Sequence, residues 1–339
     1  NRAVDEICAA LLGIGHLDTT EILRIGSRYG TDPEYRHLLL HERNQKLTNR
    51  AGLLEMLAHT RVVCGTIASL SGQKELFDLI RFDYIVIDEA SQILEPALIG
   101  FLNLGIPYIL IGDHKQLPAV VNQSPEDTYT NEVRLHDIGL HYLSNSYFER
   151  IFQIAQRNQW EWAYGILTHQ GRMHRELMTY PNQFFYENIL EILPFDGTQQ
   201  SAKLGEVNGE VDELDRILSL HRTVYIPTRE QNFINHKINP EEASRIVRII
   251  RSLQKIRPTL SSGEIGIITP YRAQIATIRH AMTENGIDQV GITVDTVERY
   301  QGGAKDVIII SYCINAISQV HQLMESMTSD GVDRKLNVA

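Results

Sequence analysis

Short apolar, β-branched runs recur along the chain at residues 61–64, 84–87, 108–111, 223–226, 265–268, 292–294 and 307–312. They are continuous rather than alternating, the pattern of strands covered on both faces. Between them the apolar positions follow helical spacing, most clearly over Pro240–Ile256 and residues 271–285. Strands alternating with helices predict an α/β fold built on mainly parallel sheets. A polar, acidic stretch at about 197–220 reads as a surface excursion. A change of domain is expected near 150–165, dividing the chain into 1–160 and 161–339. A small helical insertion is expected near 24–58. Arg36, Arg43, Lys46 and Arg50 recur there at roughly helical spacing, which fits a solvated face or a strand-binding surface.

Two strand tips carry the candidate chemistry. Residues 82–97 read FDYIVIDEASQILEPA, so Asp88 and Glu89 close an apolar strand. In an open parallel sheet, ligands bind beyond the C-terminal strand ends. Two readings fit this pair: acidic residues opening a helix, or a magnesium site in which one carboxylate holds the hydrated ion and the next polarises a water. The second tip lies in YILIGDHKQLPAVV, residues 108–121, where Gly112 and Asp113 end the strand and Pro118 closes a polar turn. Gln116 in that turn can both donate and accept, which suits sensing a terminal phosphate. Asp88 and Asp113 lie 25 positions apart, the distance of adjacent strands joined by a right-handed crossover.

IDEASQ followed by GDHKQLP resembles motifs II and III of superfamily 1 helicases. The similarity is strongest to superfamily 1B, the group of the nonsense-mediated-decay RNA helicase and the Okazaki-fragment nuclease-helicase. It extends over nearly the whole chain. NRAVDEIC (1–8) resembles the later part of motif Ia, and VVCGTIASL (62–70) a segment whose Thr contacts nucleic acid. LTHQGRMHRELMTYPNQFFYENIL (167–190) resembles the motif IV block, and INPEEASRI (238–246) an Asn-x-x-Glu-Ala element of the group. IGIITPYRAQ (265–274) and VDTVERYQGGAKDVIIIS (294–311) resemble later motifs, and DRKLNVA (333–339) the start of motif VI.

The resemblance implies two RecA-like domains of the P-loop NTPase type, the first truncated at its N-terminus, with ATP and Mg²⁺ in a cleft. Asp88 would bind hydrated Mg²⁺, Glu89 would activate water, and Gln116 would couple the γ-phosphate to the strand. Arg172 would act as an arginine finger, and Gly302 would let backbone approach the nucleotide. Thr66, Thr269, Tyr271 and Arg299 would contact the strand, with capping and packing as the ordinary alternatives for the threonines and the tyrosine. His174 is assigned a structural role. The implied activity is ATP-driven translocation, 5′→3′ by family, on single-stranded or partly duplex DNA or RNA. The helicase part of a nuclease-helicase and a scaffold with a degenerate ATP site are the rivals.

Three departures from the family pattern qualify this. No Gly-x-x-x-x-Gly-Lys-Ser/Thr motif occurs, and the chain ends at Ala339, before the motif VI arginine. The expectation is an interior fragment that alone is nearly inactive as an ATPase. The motif IV Tyr and Pro are replaced by Gly171 and Arg175, and the motif V Arg-Glu by Gly303 and Ala304.

Composition narrows the classes. The chain has 339 residues, enough for two domains, with 43% hydrophobic and 22% charged positions. No apolar run approaches the ~20 residues of a membrane span. It begins at Asn1 rather than Met, so targeting is left open. Its three cysteines show no metal-like spacing, which predicts a reducing intracellular setting, cytoplasmic or in the nucleus or nucleoid. A net charge of −10 excludes a cationic field over the whole surface while leaving room for a local basic groove.

Overall fold

In the computed structural model, the described residues are all of the chain except 1, 46, 48, 195–199, 201–203, 208, 229–234, 301–302 and 324–331. Among them nine strands form: β1 (Ile22–Ile25), β2 (Val62–Gly65), β3 (Ile85–Ile87), β4 (Tyr108–Leu110), β5 (His169–Gln170), β6 (Glu191–Ile192), β7 (Ile265–Ile268), β8 (Thr293–Asp295) and β9 (Val307–Ile310). Every ladder between them is parallel, as the RecA-like α/β class requires. The chain resolves into two compact units: Asn1–Gly112 with Ala119–Ile154, and Asp113–Pro118 with Ala155–Ala339.

In the first unit, β1 pairs with β2, and β3 with β4. β1 reads Ile-Leu-Arg-Ile and is buried throughout. Alternate residues of a strand point to opposite faces, and β1 divides accordingly. Ile22 packs with Val4, Cys8, Leu38 and Cys64, whereas Leu23 and Ile25 pack with Leu57 and Leu76. Arg24 is only 1% exposed, and its Nε donates to Asp5 Oδ1 at 2.9 Å. Helix Arg2–Gly13 supplies that carboxylate. An arginine inside the apolar run is what conceals this strand in the sequence.

The region expected as a helical insertion holds a 3-10 turn, Pro33–Leu38, and helices Leu40–Asn44 and Arg50–His59. Two of its basic residues turn onto backbone: Arg36 Nε donates to Thr31 O at 3.2 Å, and Arg43 Nη1 to Thr20 O at 3.1 Å. Lys46 lies outside the described residues.

Helix Glu95–Leu102 is fixed by a buried ion pair. Arg150 Nε and Nη2 donate to the two oxygens of Glu95 at 2.8 and 2.5 Å, and Arg150 Nη1 donates to Ile138 O at 2.6 Å. Both side chains are almost inaccessible, at 5% for Glu95 and 7% for Arg150. Removing one partner leaves a buried charge uncompensated. Glu95→Ala is therefore expected to lower unfolding stability by about 3 kcal/mol. Chemical denaturation checks this, and a change below about 0.5 kcal/mol, the range of an ordinary surface substitution, would contradict it.

The second unit centres on a sheet ordered β8-β7-β9, with every residue of β7 buried. Gly266 sits where a Cβ would lie 2.8 Å from the Tyr300 hydroxyl, which accepts from Ile267 N at 3.0 Å. Helix Pro240–Ile256 buries Ala243, Ile246, Val247, Ile250, Leu253 and Ile256, an i, i+3, i+4 stripe facing the sheet. Asn239 caps it by accepting from Glu242 N at 3.0 Å. Helix Arg272–Glu284 follows the same rule through Ile278 and Met282.

One expected strand is absent. Residues 223–226 are irregular, with Tyr225 81% exposed and Pro227 next in line. β-propensity counts only where a neighbour strand and a buried face receive it. No helix among the described residues is long and apolar enough to cross a membrane.

Candidate functional site

In the first unit the parallel pair β3–β4 builds the first strand tip. Ile111 N donates to Ile87 O, and Ala90 N to Ile111 O, both at 2.8 Å, so the ladder runs on past the strands. Asp88 and Glu89 stand at its end, both exposed. Glu89 adopts the left-handed conformation, φ 51° and ψ 36°, and Asp88 Oδ1 accepts from its backbone N at 2.9 Å. Few non-glycine residues take that conformation, and those that do gather at functional turns. Gln92 Nε2 donates to Glu89 Oε2 at 2.6 Å and orients the carboxylate. Gly112 lies against this turn: a Cβ there would come 2.9 Å from Ser91 N, so only glycine lets the two tips approach. Thr66, on the same unit, caps helix Ile67–Ser71, its Oγ1 accepting from Ser69 N at 3.2 Å.

The second unit holds the loop Asp113–Pro118 and the motif IV block. Asp113 organises the loop: Oδ1 accepts from Lys115 N at 2.9 Å, and Oδ2 from Gln116 Nε2 at 2.9 Å. Leu117 is 6% exposed and packs with Ile268, Val297 and Tyr300. Arg172 sits in a tight bend after β5. Gln170 Oε1 accepts from Met173 N at 2.7 Å, and Gln170 Nε2 donates to Met173 O at 3.0 Å, pinching the bend so that Arg172 projects outward. The Arg172 side chain is exposed and makes no hydrogen bond or ion pair among the described residues. His174 caps helix Arg175–Phe184 through Nδ1, which accepts from Glu176 N at 3.2 Å.

The remaining expected residues are distributed as follows. Thr269 is fully buried, and its Oγ1 has no hydrogen-bond partner among the described residues. The Tyr271 hydroxyl accepts from Gln319 Nε2 at 3.3 Å. Arg299 is exposed and pairs at 3.4 Å with Asp295, the last residue of β8. Gly302 lies outside the described residues. Gln170 and Tyr186 were not anticipated, and Asp113 was expected only as the end of a strand, not as the acceptor that organises the loop. All three lie inside quoted motifs, yet nothing in their spacing separates a residue that braces a loop from one that fills space.

A family model described as an AAA domain matches residues 143–339, more than half of the chain, and a second AAA-domain model matches residues 39–124. The chain belongs to the AAA-domain family. It is 30% identical over 321 residues to the DNA replication ATP-dependent helicase/nuclease JHS1 of Arabidopsis thaliana, covering 92% of the chain and 22% of that protein. It is 31% identical over 281 residues to the uncharacterized ATP-dependent helicase MJ0104 of Methanocaldococcus jannaschii, covering 80% and 36%. It is 28% identical over 338 residues to the DNA replication ATP-dependent helicase/nuclease DNA2 of Mus musculus, covering 94% and 29%. The chain thus spans 22% to 36% of the length of these relatives.

Proposed function

We propose that this chain is the motor core of an ATP-dependent helicase that translocates on nucleic acid and unwinds it, with 5′→3′ polarity. The observation that carries the reading is the Asp88–Glu89 tip. Its two carboxylates are exposed at the end of a parallel strand pair, with Glu89 held in a strained backbone conformation. It stands in a chain similar to proteins named ATP-dependent helicases.

The donor set fits magnesium. That ion keeps most of its waters and takes one or two carboxylates together with substrate phosphates, and Asp88 offers one exposed carboxylate. When bound with ATP, the ion neutralises phosphate charge. Phosphoryl transfer otherwise needs positioning and charge stabilisation more than covalent help. Glu89 orients the attacking water and takes its proton. Gln116 has one amide N–H committed to Asp113, which fixes its flip. Its carbonyl oxygen is then an acceptor for a water, and its second N–H a donor for a phosphate oxygen. Arg172 brings a planar guanidinium, which matches phosphate geometry better than an ammonium does.

Thr66, Tyr271 and Arg299 are assigned to the single strand, and Gly302 to the nucleotide; the Thr269 side chain, expected at the strand, is fully enclosed and has no surface to offer one. Hydroxyls and backbone amides hold phosphates without reading sequence, and an aromatic such as Tyr271 stacks on any base. A second reading, the helicase part of a nuclease-helicase, is favoured by the names of two of the relatives.

The test is ATP hydrolysis and duplex unwinding by the full-length protein with Mg²⁺, in the presence of single-stranded DNA or single-stranded RNA. Hydrolysis stimulated by one of the two strands is the expected result. Hydrolysis at background with both would refute the motor reading.

A further inference from the structure

Tyr186, at the end of the motif IV block, belongs to none of the roles above. Its hydroxyl donates to Asp113 Oδ2 at 2.6 Å, the oxygen that also accepts from Gln116 Nε2 at 2.9 Å. The same hydroxyl accepts from Asn337 Nδ2 at 2.9 Å, and Asn337 Nδ2 also donates to Lys115 O at 2.9 Å. Lys115 Nζ lies 5.9 Å from the centre of the Tyr186 ring and pairs with Glu187 at 3.2 Å. Val338 and Ala339 pack against the cluster that holds Leu117. All of these residues lie in the second unit.

The arrangement has a definite logic. An ionised aspartate accepts only, so both Tyr186 and Gln116 must point a hydrogen at Asp113. Burial, reinforced by the Asp113 charge, pushes the Tyr186 hydroxyl well above the usual phenol range, so it stays protonated and able to donate. A phenol fixed on one oxygen of Asp113 fixes the carboxylate plane. The plane in turn sets the direction of the Gln116 amide.

We propose that Tyr186 is a positioning residue that holds Gln116 in its working orientation through Asp113, and that Asn337 ties the same loop to helix Arg334–Val338. The inference rests on the reading of Gln116 as the residue facing the γ-phosphate and water. It adds that three segments far apart in sequence, around Asp113, Tyr186 and Asn337, report on one another through a single phenol.

Two measurements test it. In the full-length protein, Tyr186→Phe keeps the ring and removes only the hydroxyl. Strand-stimulated kcat should fall about tenfold, the scale of one hydrogen bond to a charged group, while KM for ATP changes less than about twofold. Gln116→Ala should lower kcat by more. The double variant should be no worse than Gln116→Ala alone, because Tyr186 acts through Gln116. Asn337→Leu is the second variant should Tyr186→Phe fail to fold, with the same sign expected. Unchanged kcat in both variants, or losses that multiply in the double variant, would overturn the proposal.

The second measurement needs no hydrolysis. Amide hydrogen exchange at Lys115 and Leu117 should quicken in Tyr186→Phe, with melting temperature little changed. Unchanged exchange there overturns the proposal. Quickened exchange in a protein that shows no ATPase activity upholds the brace and counts against the motor reading alone.

Discussion

Glu89→Gln is expected to leave ATP binding in the full-length protein unchanged and to reduce strand-stimulated turnover by about 10²–10⁴-fold, the span that a positioned general base contributes. The amide keeps the size and the hydrogen bond from Gln92 Nε2, which reaches Glu89 Oε2 at 2.6 Å. It loses the basic oxygen that would take the water proton. Because Glu89 is exposed, the substitution should leave the melting temperature close to the parent's. The comparison to make is nucleotide affinity by equilibrium binding beside hydrolysis under saturating ATP. Turnover within about threefold of the parent would remove Glu89 from the chemistry, since a general base is worth far more.

Arg172→Ala carries the second large effect. A finger stabilises charge that shifts onto phosphate oxygens in the transition state, so its loss should lower turnover about 10³-fold or more. Arg172→Lys should restore only part of this, because an ammonium lacks the planar two-donor fork. Binding of a single strand without nucleotide should change little. The rival account makes Arg172 a structural ion pair, whose removal lowers stability more than turnover. Its side chain is exposed. Measuring melting temperature and turnover on the same preparation separates the accounts. A destabilised variant with near-normal turnover per folded molecule would make Arg172 structural.

How much of this could be read from the residues varies by element. The strands at Ile265–Ile268 and Val307–Ile310 were legible because their runs are long, β-branched and uninterrupted. β1 was not, since Arg24 breaks its apolar pattern. Only the structure brings the Asp5 carboxylate to that arginine across 19 positions. β5 and β6 have two residues each, too short for any periodicity to register. The run at 223–226 misled for the opposite reason, having suitable residues but no place to bury them.

The placement of Asp88 and Glu89 at a strand end was legible, because a motif fixes both residue type and order there. The site was not legible where the information lies in burial. The complete enclosure of Thr269 and the grip of Gln170 on Met173 follow from packing that no spacing encodes. Tyr186 shows the same limit, since it meets Asp113 across 73 positions and Asn337 across 151.

The left-handed turn at Glu89 sets the two demands on this fold against each other. A side chain at φ 51° strains the backbone by about 1–2 kcal/mol, and glycine would not. Stability alone therefore favours glycine at a position where the proposed water activation needs a carboxylate. Mutational drift judged only by folding would favour loss of that side chain, and a library sorted for thermal tolerance would enrich molecules without the carboxylate. A glycine at this point in a related chain would accordingly mark one that has kept its scaffold and given up hydrolysis.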